Sequence, residues 1–176
     1  MNALLGSAIQ FAPELIKHRR TIHTFAEISD ELPKTKAYVK NELIQLGLKP
    51  IELSKSSLVV NIKGDHPGKV FMLRADMDAL PMPELNEQEF KCTTGTNHAC
   101  GHDLHTTMLL GAAKLLVASK DKLHGTVKLM FQEAEETLIG ANAMIKEGLL
   151  ENPKVDAAMM IHVFAGIPAP TGVVFY

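Results

Sequence analysis

Between positions 98 and 105 the chain carries His98, Cys100, His102, Asp103 and His105. These are the side chains that bind transition metals. Cys supplies a soft thiolate, His a neutral imidazole, and Asp an anion that ligates or orients a ligand. Further along come Glu135-Glu136 and then His162. A hydrolytic metal site needs several protein ligands and an open position for water. Cys100, His102, Glu136 and His162 offer ligands of suitable type. A thiolate or carboxylate can bridge two ions, so a dinuclear centre is compatible with this set. A bound cation lowers the pKa of water toward about 7. A carboxylate beside it can take the proton and deliver it to a leaving amine. The paired glutamates suit a division of labour, one ligating and one acting as base, because neighbouring side chains at a strand end point in different directions.

Each residue also has a plainer reading. Glu135-Glu136 alone reads as a solvated acidic turn, His162 as a hydrogen-bonded core histidine, and Cys100 as an inert buried thiol. Asp76 and Asp78 read as turn formers after a strand. His18, His23, His66 and His124 have no partners nearby in sequence and read as structural or surface residues. Met108, Met144, Met159 and Met160 read as core. A structural zinc site fits poorly, because such sites fill all four positions with Cys and His. The combination of Cys-Gly-His-Asp-x-His with later carboxylates and a later His points to a metal-dependent hydrolase.

Several elements must position these groups. Residues 11–29 carry a broken helical pattern through Phe11, Leu15, Ile16, Ile22 and Phe25. Residues 34–46 form a second amphipathic helix, with Gly47 as its stop. Residues 57–62 and 69–75 read as strands joined by a turn at Gly64-Asp65-His66-Pro67-Gly68. The stretch 80–97 reads as a long loop of the kind that is often functional. Asp103 is placed to cap a helix running to about residue 119. Residues 126–131 read as a strand, 139–150 as a short helix, and 155–163 as a near-continuous apolar strand of the buried kind. The second half therefore alternates βαβαβ. This predicts an α/β fold with a largely parallel sheet flanked by helices. Sites in open α/β sheets form beyond the carboxyl ends of strands, where the candidates lie.

The chain has 176 residues, so one domain is the expectation, with enough length for a real core. Net charge is −2 and no long run of Lys or Arg occurs, which argues against nucleic acid. No apolar run reaches the length of a membrane span, and the first 13 residues lack the basic start of a secretory signal. Cys92 and Cys100 are the sole cysteines. A metal-binding thiolate fits a reducing compartment, which favours the cytoplasm.

Four segments carry a family resemblance. They are Arg19-Arg20-x-x-His23, the run Leu73-Arg74-Ala75-Asp76-Met77-Asp78-Ala79-Leu80-Pro81, the run from His98 to Thr106, and the run from Gly125 to Glu136 ending Gln132-x-Ala134-Glu135-Glu136. Gly140-Ala141, Met144-Ile145, Gly148-Leu149 and His162-Val163 extend it. The chain resembles the N-terminal part of a metal-dependent amidohydrolase of the aminoacylase/hippurate hydrolase kind. That group lies within the aminoacylase and carboxypeptidase family of dinuclear metallopeptidases.

The resemblance implies a zinc-peptidase-like catalytic domain holding two divalent metal ions, commonly Zn, Mn, Co or Ni. It implies Cys100, His102, Glu136 and His162 as metal ligands, Glu135 as general base, and Asp78 as the residue that orients the site. It also implies a small N-acyl amino acid or dipeptide-like substrate, cleaved at the amide, and a homodimer for longer family members. Two departures stand out. Glu133 replaces a usual Pro, which is expected to loosen the turn and add charge beside the base. The chain also stops at Tyr176, where the family continues into a lid or dimerisation domain and then completes the catalytic sheet. Residues 1–176 are thus expected to be a partial catalytic domain. Two readings stay open: an amidohydrolase, or a truncated, catalytically incompetent chain that binds metal or needs a partner.

Overall fold

The computed structural model describes residues 3–166 and 170–174. Part of the 168–176 run, expected to lead into a further domain, lies outside the described residues. Helix α1 (Ala3–Phe25) continues through Pro13. The apolar pattern starts too late because Leu4, Leu5 and Ile9 are exposed and trace no buried face. The helix also ends earlier than residue 29, where Ala26 takes a φ of +36°. Glu27 then turns back its carboxylate onto the amides of Lys34 (3.1 Å) and Thr35 (2.9 Å). This caps helix α2 (Pro33–Gln45), which opens on a proline whose missing N–H would have lacked a helical partner anyway.

The strands are β1 (Ile51–Leu53), β2 (Ser57–Lys63), β3 (His66–Asp76), β4 (His124–Gln132) and β5 (Ala157–Met160). They form one sheet in the order β1-β2-β4-β3-β5. The expected α/β sheet flanked by helices is present. Its parallel part is β4-β3-β5, and β2 and β1 extend it antiparallel. A short turn joins β2 to β3, yet the two are not neighbours, because β4 lies between them. Glycines make this possible. A Cβ at Gly64 would lie 2.0 Å from the Leu123 carbonyl oxygen, and one at Gly125 2.0 Å from that of Lys69.

Helices α1, α2 and α3 (His102–Ala118) cover one face of the sheet. There Leu58, Val60, Ile62, Leu129 and Phe131 pack with Ile22, Val39, Leu43, Leu109 and Leu110. The intervening Val59 and Met130 point to the other face, with Met144 and Leu149, as the strand period of two requires. Helix α4 (Gly140–Lys146) lies on that side and is shorter than the expected 139–150. Its exit is held by Lys128, buried in β4. The Lys128 Nζ donates to the carbonyls of Leu149 (2.7 Å), Glu151 (2.8 Å) and Pro153 (2.9 Å).

The final strand differs from expectation. β5 spans four residues, all of them exposed. Among the described residues it pairs with β3 and with no other strand. Apolar composition signals a strand here, but composition does not separate a central strand from an edge strand. Met159 and Met160 are therefore exposed, and of the methionines expected in the core Met144 is fully buried. The exposed Met108, Met159, Met160 and Ile161 line a shallow groove of about 190 Å³ between β5 and α3. No helix of the described residues is long and apolar enough to cross a membrane.

Candidate metal centre

The carboxyl ends of β3, β4 and β5 meet the start of α3. Gly101 immediately precedes α3 with a φ of +88°, and a Cβ there would lie 2.4 Å from Val163 Cγ2. Glycine thus lets the segment after β5 close over the Cys100-Gly101-His102 turn. Asp103, expected as the cap, sits inside the first turn and accepts the amide of Leu104 (2.9 Å).

Two groups of donor atoms share His102. Cys100, His102 and His162 offer ligand atoms within 4.8 Å of one another, and so do His102, Glu135 and Glu136. Cys100 Sγ lies 3.4 Å from His162 Nε2. His102 Nε2 lies 3.7 Å from Glu136 Oε1 and 3.9 Å from Glu135 Oε2. The ring orientations are fixed from behind. His102 Nδ1 donates to the Asp78 carbonyl (2.8 Å), and His162 Nδ1 donates to the Val163 carbonyl (2.6 Å). Both Nε2 atoms therefore face the cluster with a lone pair. Asp78 is fully buried, and its Oδ2 accepts the amide of Glu136 (3.1 Å).

His102 Nε2 and Glu136 Oε1 are buried without a hydrogen-bond partner. Unpaired buried polar atoms are costly, and a shared cation satisfies both. The residues present therefore fit a divalent ion. Burial, helped by Glu136, Glu135 and Asp76, pushes the Cys100 thiol up to about 11. Burial pulls His102 down, but Asp78 and Asp76 outweigh it and leave the imidazole more basic than an ordinary histidine. This excess of negative potential is what a cation would neutralise.

His105 and Asp76 form a further group with His102, but their atoms are already engaged. Asp76 Oδ1 accepts from His105 Nδ1 (2.6 Å), and Arg74 donates to Asp76 Oδ2 (2.5 Å). Burial opposes ionisation of Asp76, yet His105, His102 and Arg74 hold its carboxyl down at about 2. Sequence reasoning counted His105 among the metal-binding side chain types and Asp76 as a turn former, and did not pair the two.

His23, read as a structural or surface residue with no partner nearby in sequence, is buried in a second polar cluster. Its Nδ1 meets Asp103 Oδ2 (2.7 Å) and its Nε2 meets Glu84 Oε2 (3.0 Å). Arg19 Nε lies 2.7 Å from Asp103 Oδ2. The partners are 80 and 61 residues away, so local sequence could not reveal them. Burial lowers His98 to about 4. Glu133 is another correction. Its buried carboxylate accepts the amides of Ser56 and Lys55, and its own amide donates to Ser57 Oγ (3.1 Å). It ties the end of β4 to the start of β2 instead of loosening the turn or charging the base.

Residues 72–174 match the model of peptidase family M20/M25/M40. The chain belongs to this family. Among M20/M25/M40-type relatives, a thermostable carboxypeptidase of Saccharolobus solfataricus is 42% identical over 160 residues, covering 88% of this chain and 40% of that protein. An N-acyl-L-amino acid amidohydrolase of Geobacillus stearothermophilus is 39% identical over 157 residues, covering 86% and 41%. A Bacillus subtilis structure described as a dinuclear metal binding peptidase of the M20 family superposes with a TM-score of 0.83 at 35% identity, covering 87% of this chain and 43% of that one. The chain spans about 40% of the length of the curated relatives it matches.

Proposed function

We propose that residues 1–176 are part of the catalytic domain of a metal-dependent amidohydrolase that cleaves the amide bond of N-acyl amino acids or dipeptide-like substrates. The buried, partnerless pair of His102 Nε2 and Glu136 Oε1, 3.7 Å apart, carries this reading. With Cys100 and His162 beside them, these atoms would hold two divalent ions. The donor set of one thiolate, imidazoles and carboxylate suits Zn, Mn, Co or Ni. When bound, such ions supply Lewis acidity that polarises an amide carbonyl and makes water nucleophilic at neutral pH.

The remaining chemistry belongs to the chain. The Glu135 side chain is more open than that of Glu136, at 34% against 23% exposure. Glu135 is thus the carboxylate free to take a proton and return it to the leaving nitrogen. Asp78 holds both the Glu136 amide and, through its carbonyl, the His102 ring. The amidohydrolase relative supports the acyl-amino-acid class, and the carboxypeptidase relative the dipeptide-like class. Both cysteines are free thiols, which supports a reducing, cytoplasmic setting. A homodimer is proposed for the longer protein.

The exposed β5 favours a second reading, a metal-binding module that turns over substrate with a partner chain alone. Native mass spectrometry with Zn²⁺ or Mn²⁺, followed by hydrolysis of N-acetyl and N-benzoyl amino acids, separates the two. Two ions per chain with turnover that Glu135→Gln abolishes, metal retained, supports the enzyme. Two ions without turnover supports the module. No bound metal overturns both, and undiminished turnover in Glu135→Gln removes Glu135 as base.

A further inference from the structure

His105 stands in the metal-binding motif, three residues after His102 in the first turns of α3. It is buried, and both ring nitrogens are occupied. Nδ1 donates to Asp76 Oδ1 (2.6 Å), so Nε2 carries a lone pair. That lone pair accepts the backbone N–H of Val163 (2.9 Å). Val163 follows His162, and its carbonyl accepts from His162 Nδ1 (2.6 Å). Its side chain also lies over Gly101, between Cys100 and His102.

The backbone of Val163 is therefore held at both its N–H and its C=O. Its N–H is anchored to α3 through His105, and its C=O orients the His162 ring. Behind His105, Asp76 is fixed by Arg74 (2.5 Å), and Arg74 in turn by Gln132 (2.9 Å). The chain of contacts runs from the ends of β3 and β4, through α3, to the exposed segment after β5. His162 itself is exposed, its ring meeting the His105 ring edge-on at 4.4 Å between centroids, and the Val163 hydrogen bond is the directional contact that ties its backbone to α3.

We propose that His105 is a positioning residue and not a metal ligand. Through the Val163 amide it sets His162 against Cys100 and thereby completes the ion site on that side of His102. This rests on the metal-site reading above. It further requires the two ion sites to be separable: the His102–Glu136 side has its own anchor in Asp78 and does not depend on His105.

Two substitutions divide the functions of the ring. In His105→Asn the side-chain amide can still donate to Asp76 but does not reach Val163. In His105→Gln the longer side chain can present its carbonyl to the Val163 N–H. The first readout needs no metal. Long-range ¹H–¹⁵N spectra of the wild-type chain should show His105 protonated at Nδ1 with Nε2 as an acceptor, and the Val163 amide should be protected from exchange. The second readout is Zn²⁺ titration followed by native mass spectrometry.

His105→Asn is expected to lose Val163 protection and to weaken one of two Zn²⁺ ions by about 10- to 100-fold, leaving the other unchanged. His105→Gln is expected to keep both properties within about threefold of wild type. Equal losses in the two variants, or unchanged protection and Zn²⁺ affinity in His105→Asn, overturn the proposal. So does a wild-type spectrum with Nε2 protonated. A wild-type chain that takes up no Zn²⁺ overturns the metal-site reading and the ion-site part of this proposal, while the amide readout still decides the link to Val163.

Discussion

Asp78 Oδ2 accepts the backbone N–H of Glu136 at 3.1 Å, so one buried carboxylate at the end of β3 holds the turn that carries both glutamates. Its main-chain carbonyl separately orients His102. Asp78→Ala removes the first contact and spares the second. Metal affinity is expected to fall by about 10- to 100-fold, as for other groups that orient ligands, with the fold retained. Competition titration against a chelating dye measures this, and unchanged affinity would remove Asp78 from that role.

The cluster around His23 is expected to make the 80–97 loop sensitive to pH. Asp103, Glu84, Gln88, His98 and the Phe90 ring face His23, and Arg19 shares the Asp103 oxygen that His23 binds. Burial pulls its basicity down, but Asp103 and Glu84 win and raise it above an ordinary histidine. The imidazolium contribution is complete below the unfolded value of about 6.5 and is lost as pH rises through the higher folded value. Burial opposes ionisation of Asp103 and Glu84, yet both are lowered overall, so their contribution is lost only as pH falls through those lowered values. The Cys92 amide, which donates to Glu84 Oε2 (3.0 Å), reports on the loop. Its exchange protection should fall in wild type as pH rises above the ordinary histidine value of about 6.5, after correction for intrinsic rates. In His23→Gln that dependence should vanish. A persistent slope in the variant would assign the effect elsewhere.

Lys128 is 1% exposed and satisfies three carbonyls at the exit of α4. Lys128→Met keeps the aliphatic bulk and strips all three hydrogen bonds. Urea unfolding should show a loss of about 3 kcal/mol. A change under about 0.5 kcal/mol, ordinary for surface positions, would mean that the carbonyls find other donors.

Glu133 binds amides away from the donor cluster. Glu133→Ala is therefore expected to cost about 1–3 kcal/mol of stability while leaving metal affinity within error. The reverse pattern, stable protein with altered metal binding, would place its charge in the centre after all.

The candidate donors were legible because thiol, imidazole and carboxylate types are rare together and fall at or near strand ends. Cys100, His102, Glu135, Glu136 and His162 do converge. The parallel core was legible from the alternation of apolar strands and helices. What escaped is set by distance along the chain or by neighbours. His23 meets partners through space, β4 inserts between β2 and β3, and Glu133 reaches back to Ser56. β5 reads as buried because Ala157-Ala158-Met159-Met160 has no polar alternation, although all four residues are exposed. A strand's composition records what it can pack against, and not which neighbours cover it.

The donors also come from segments that emerge from the ribosome in sequence. Cys100 precedes His162 by 62 residues. At synthesis rates of about 5–20 residues per second, the thiol is made roughly 3 to 12 s before the imidazole that faces it. Through that interval neither the Val163 peptide nor His162 exists to close the Cys100-Gly101-His102 turn. Loading of an ion on the Cys100–His162 side would thereby fall late in biogenesis, after β5 has docked on β3, and a nascent chain stalled before residue 162 should hold one Zn²⁺ fewer than the released one.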